Sequence, residues 1–78
     1  MGVTITLERR FAIRGPRGFL CKQLARDVWE RDDPRILYIR QGDRPKLQTF
    51  NTQSKARQKV IELGRTGLKI VEVSIIDK

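Results

Sequence analysis

The sequence predicts an α+β fold, a three- to four-stranded antiparallel sheet packed on one main helix in the order β-β-β-(β)-α-β. Three observations carry this expectation. The amino end alternates with period two, a capped apolar stripe of period 3.6 lies late in the chain, and the closing segment is rich in Ile and Val. At 78 residues the chain has room for one small basic domain, residues 1–78, with a thin core.

Val3, Ile5 and Leu7 alternate with Thr4, Thr6 and Glu8, and the parity resumes at Phe11 and Ile13, which predicts a strand. Gly15, Pro16, Arg17 and Gly18 supply a fixed φ and two permissive positions, so the chain should reverse there and return through Phe19, Leu20 and Cys21. From Gln23 to Asp33 a short helix and a loop fit equally, with Asp32, Asp33 and Pro34 read as a turn that stops whatever precedes them. Arg35 to Gln41 contains four β-formers and predicts a strand, and Gln41 to Pro45 a turn. Lys46 to Phe50 reads as a further short strand.

The helix follows. Asn51, Thr52 and Ser54 offer capping oxygens, Ala56, Val60 and Leu63 form one stripe, and Gly64 and Gly67 end it. Leu68 to Ile76 predicts a last strand with Val71, Val73 and Ile75 on one face and Ile70 and Ile76 on the other, so that it should be central or covered. The expected core is Phe11, Ile13, Phe19, Tyr38, Val60, Leu63, Val71 and Val73.

Composition bounds the function. Seventeen Lys and Arg against nine Asp and Glu give a net charge of +8, which points to an anionic partner, against the alternative of a merely solvated basic surface. No histidine is present, so imidazole acid-base chemistry and His metal ligation are excluded, and one cysteine builds neither a disulfide nor a Cys-rich zinc site. The carboxylates lack calcium-loop spacing, and the glycines lack the lysine and hydroxyl of a phosphate loop. The expectation is therefore a non-enzyme with no cofactor, no metal and no small-molecule substrate. No apolar run approaches the ~20 residues of a membrane span, the amino end does not look like an export signal, and the lone Cys21 fits a reducing cytoplasm. The chain starts at Met1 and reads as a complete small gene product.

With Phe11 and Ile13 inward, Arg10 and Arg14 should project from the opposite face of the first strand, with Arg17 at the hairpin tip. Their planar donors can engage phosphate oxygens in pairs. On the helix, Lys55, Arg57 and Lys59 avoid the apolar stripe, and only Glu62 opposes the cations between Gln53 and Lys69. The middle of the chain interleaves Asp27, Glu30, Asp32 and Asp33 with Arg26, Arg31 and Arg35, as if mutually compensated.

Phe11-Ala12-Ile13-Arg14, Gly18-Phe19-Leu20, Trp29 with its acidic neighbours, Phe50-Asn51-Thr52 with Ala56 and Leu63, and Ile70-Val71-Glu72-Val73 together resemble small phage and prophage proteins of unassigned role. The resemblance implies a hairpin, a helix and a last strand, and no activity. The chain departs from that pattern by inserting Arg35 to Lys46. A three-stranded sheet on one helix is also similar, in fold alone, to the amino-terminal DNA-binding domains of transposon integrases.

The leading expectation is a protein that contacts nucleic-acid phosphates, DNA or RNA, through Arg10, Arg14, Arg17, Lys55, Arg57 and Lys59. The alternative is a phage or mobile-element module that binds an acidic surface on a host protein complex, anchored by Trp29 and Tyr38. A third form is a homodimer joined through exposed edge strands.

Overall fold

The structure is a computed structural model that describes residues 6–77, so the predicted strand start at Val3 and Ile5 lies outside it. Strands β1 (Thr6–Gly15) and β2 (Gly18–Gln23) form the expected hairpin, with Gly15 opposite Gly18 across Pro16 and Arg17. The left-handed backbone falls on Gly18 (φ 118°), where a Cβ would meet the Glu30 carbonyl oxygen at 2.1 Å. Only glycine fits there.

Residues left open between helix and loop form a second hairpin instead. Strand β3 (Arg26–Glu30) pairs with β2 from Phe19↔Glu30 to Gln23↔Arg26. Its two-residue turn is Leu24–Ala25, with φ of 49° and 65°. Two positive φ values mark the turn that matches strand twist, ordinarily made by Asn-Gly, so Leu-Ala carries no turn signal in the sequence.

The strand expected over Arg35–Gln41 is a helix, α1 (Pro34–Ile39). The Asp33 carboxylate accepts from the Arg35 N–H at 2.9 Å, and Pro34 occupies the first turn, where its missing N–H costs nothing. The β-formers Ile36, Leu37, Tyr38 and Ile39 yield because Leu37 is fully buried against the sheet in this conformation. Helix α2 (Gln53–Leu63) matches the sequence reading closely. Thr52 caps it through Oγ1, and Gly64 closes it in the left-handed conformation, its N–H donating to the Val60 and Ile61 carbonyls.

Direct pairing of β1 with β2 stops at Arg14↔Phe19. Below that point the strands diverge, and residues 46–50 fill the gap. Strand β4 (Lys46–Leu47) pairs with β2 at Cys21↔Leu47 and Lys22↔Lys46, and Phe50 exchanges two backbone bonds with Phe11 at 2.8 and 2.9 Å. Strand β5 (Lys69–Asp77) pairs along the whole of β1. The sheet thus has five antiparallel strands, in the order β3-β2-β1-β5 with β4 beside β2. It holds one strand more than expected, and β5 lies at its edge rather than centrally.

Both faces of this sheet are covered. Ala12, Cys21 and Leu47 share one face and pack with Leu37 of α1, backed by Phe19, Val28, Val71 and Val73. Ile13 and Leu20, of opposite parity, are fully buried on the other face, where α2 lies with its buried Ala56 and is tied by Lys59 to Asp27. Of the expected core only Ile13 is fully buried. The second helix explains the difference, because each strand alternates between two covered sides and its small residues, Ala12 and Cys21, sit closest to a helix.

Two outcomes follow from these local geometries. Replacing Ala25→Gly relieves a left-handed alanine and should raise stability by about 0.5–1 kcal/mol, read as a Tm increase of roughly 3–6 °C. Cys21 is buried, and that burial first, then the Glu30 carboxylate, pushes its thiol from 9.0 up to about 11, with Arg40 opposing. The folded chain should therefore resist alkylation at neutral pH, and reaction should track unfolding. Between pH 9 and about 11 the unfolded chain has released a proton that the folded chain keeps, so stability should fall as pH rises through that window in urea titrations.

Candidate functional site

The register sets where the cations go. Arg10 and Arg14 face the same side as Ala12, opposite Val73 and Lys69 of β5. That side is the one α1 covers, so the expectation of a bare basic face is corrected here. Arg10 is only 20% exposed, and its guanidinium donates to Thr49 Oγ1 and pairs with Glu8. Arg14, two pleats nearer the hairpin, is exposed, with its guanidinium carbon 5.6 Å from the centroid of the Phe19 ring.

On α2, Lys59 is 23% exposed and lies 3.4 Å from Asp27 and 4.0 Å from Glu62. Gln48 donates to the second Asp27 oxygen at 2.8 Å and to the Cys21 carbonyl at 3.0 Å. The Gln48 bond foremost, and then Lys59, hold the Asp27 carboxyl below its ordinary range. Arg10 and Lys59 thus join carboxylates within the fold. Lys55 and Arg57 remain exposed, with Lys55 ~12 Å along the helix axis from its carboxyl end.

Arg14 and Arg17 meet three cations that sequence reasoning did not choose. Around Pro16 lie three shallow clefts. One of about 290 Å³ is flanked by Arg14 and Arg31, one of about 310 Å³ by Arg14 and Lys69, and one of about 160 Å³ by Arg17 and Arg65 with Trp29 beside them. The five come from β1, the hairpin turn, the β3–α1 loop, the α2–β5 loop and the start of β5. Among the described residues none of the five lies in an ion pair.

The missed residues have a physical explanation. Arg31 looked compensated by its acidic neighbours, but Asp32 pairs with Arg40 at 3.1 Å, Asp33 with Arg35 at 2.8 Å, and Asp27 with Lys59. Local turns and packing thus direct those carboxylates away from Arg31. Arg65 and Lys69 bracket Gly67 in a basic stretch opposed only by Glu62, and that imbalance was the one signal available. Glu30 stands in the same cross-strand row, beyond Phe19 from Arg14.

Trp29 and Tyr38, the expected protein anchors, do not share a surface. Trp29 is half-buried on the α2 side, close to Gly15 and Leu68, since a Cβ on Gly15 would lie 3.2 Å from Trp29 Cζ3 and 2.9 Å from Leu68 Cδ2. Tyr38 belongs to α1, with Lys46 Nζ 5.9 Å from its ring centroid. The sheet separates them. No helix among the described residues is long and apolar enough to cross a membrane, and none of their His, Cys, Asp and Glu residues gather in threes to suit a metal. Neither a protein-family model, nor a curated protein, nor a solved structure matches this chain.

The hairpin end rests on Gly18. Substituting Gly18→Ala forces Cβ into the Glu30 carbonyl at a left-handed position, and should cost more than ~3 kcal/mol in urea unfolding. Arg17→Ala at the same exposed turn should change stability by less than about 0.5 kcal/mol.

Proposed function

We propose that this chain is a non-enzymatic, cytoplasmic binding protein whose hairpin end grips the phosphates of a nucleic acid. The observation that carries the reading is the convergence of Arg14, Arg17, Arg31, Arg65 and Lys69 around Pro16 without ion pairs among the described residues. Like charges so placed repel one another, and phosphate oxygens relieve that repulsion while releasing counterions from the polyanion. Four of the five are Arg, whose fork matches two phosphate oxygens at once. The three clefts are shallow and open, which suits a backbone passing across the surface rather than a small molecule enclosed by it. Lys55 and Arg57 extend the positive surface along α2, whereas Arg10 and Lys59 serve the fold.

A second reading draws on Trp29. An aromatic ring between Arg17 and Arg65 is the kind of anchor found at protein interfaces, and it supports a mobile-element module that binds an acidic surface of a host complex. Capture from nuclease-treated lysate separates the two readings. A partner retained after digestion favours the protein surface.

With five phosphates neutralised, the logarithm of the binding constant on duplex DNA should fall against the logarithm of salt concentration with a slope of roughly −4 to −5. Arg17→Ala and Arg65→Ala should each flatten the slope by about 0.9, and Arg10→Ala should not. Affinity indifferent to salt, for DNA and RNA alike, would overturn the proposal.

A further inference from the structure

The two outer strands of the sheet differ. Strand β3 has five residues, of which Arg26, Asp27 and Glu30 are charged, and such an edge discourages further pairing. Strand β5 has nine, spends one edge on β1, and is paired on its other edge by no strand among the described residues. One face of its interior is apolar, with Ile75 buried and Val71 and Val73 half-buried, while the other carries half-buried Ile70 and exposed Glu72 and Ser74. A long apolar edge of this kind presents unpaired backbone groups to any strand that fits.

We infer that β5 pairs antiparallel with β5 of a second copy, about a two-fold axis through Val73. This inference is independent of the phosphate reading. The sequence of β5 is self-complementary only in that register. Val71 then opposes Ile75, Ile70 opposes Ile76, Glu72 opposes Ser74, and Lys69 opposes Asp77, so two pairs of opposite charge close the ends of the seam. Centring the axis on Glu72 sets two carboxylates face to face. Centring it on Ser74 sets Glu72 against Ile76 and Asp77 against Val71.

An axis perpendicular to the sheet also keeps like faces together. Both α1 helices, which lie against β4 and β5, come to one side of the joined sheet with their exposed Ile36 and Ile39. The hairpin turn stays outside the seam, which shares Lys69 and Val71 with the cleft beside Arg14. Arg14, Arg17, Arg31 and Arg65 are left free in the dimer.

Sedimentation equilibrium of nucleic-acid-free protein at about 0.15 M salt tests this. The wild-type chain should dimerise, Lys69→Asp should weaken association roughly tenfold by placing like charges at both ends, and Lys69→Asp with Asp77→Lys should restore it. Val73→Cys, a change of similar volume, should yield a disulfide-linked dimer under oxidised glutathione. Glu72→Cys should not, because its copies would lie beyond the ~7 Å Cα separation that a disulfide spans. A chain monomeric at every concentration overturns the proposal. So does a dimer that ignores the charge exchange and cross-links as readily through Glu72→Cys.

Discussion

The insertion of residues 46–50 between β1 and β2 is the constraint on which this structure depends. A two-strand hairpin would ordinarily stay paired to its ends, but here direct pairing stops at Arg14↔Phe19 and the backbone groups beyond it need other partners. Leu47 and Phe50 supply them, one to β2 and one to β1, and the Gln48 N–H donates to the Leu20 carbonyl at 3.1 Å. The connection into this wedge comes from α1 and the connection out leads to α2. Because the wedge lies within the sheet, one helix can reach each face.

Covering both faces builds the buried core from Leu, Ile, Ala and Cys rather than from aromatic rings. Ala12, Cys21 and Ala56 are fully buried, and Phe11, Phe19 and Trp29 only partly, because close approach of helix and sheet leaves room for a methyl or thiol directly beneath the helix. Large rings settle at the margins, where Phe19 lies under Arg14 and Trp29 beside Gly15. The hairpin end is thus built on aromatic surface, which positions its guanidinium groups without neutralising them. Deeper along the sheet the cations are treated differently. Arg10 and Lys59 reach carboxylates and hydrogen-bond partners that hold strands and helix together.

Charge at the surface is sorted by local geometry. Asp33 is committed to capping α1 and pairing with Arg35, Asp32 reaches back from Arg40, and Asp27 is held by Gln48 and Lys59. Three of the four carboxylates that stand close to Arg26 and Arg31 in the sequence are therefore engaged elsewhere in space, and Glu30 stands beyond Phe19 from Arg14. A net charge of +8 becomes a localised feature, because most of the acidic residues near the hairpin in sequence serve turns and helix starts, while the hairpin end holds five cations against Glu30. Exposure to solvent and counterions makes that concentration of like charge tolerable.

Short-range chemistry decided what was legible in the sequence. The Gly-Pro-Arg-Gly hairpin, the Thr52 cap, the Ala56 stripe and the Gly64 stop each act within a few residues, and so do the alternating strands, so the α+β class and the limits of α2 follow from the chain alone. Composition likewise determined the absence of imidazole and the excess of cations. The rest was settled by contacts between distant residues. Burial of Leu37 turned a β-prone stretch into α1, cross-strand pairing carried Leu24 and Ala25 into a turn neither residue favours, and packing on two faces exchanged the expected rings and valines for Leu, Ile, Ala and Cys. Which cations stay free, and that β5 lies outermost, are tertiary facts for the same reason: both depend on partners brought together across the sheet, which no local pattern encodes.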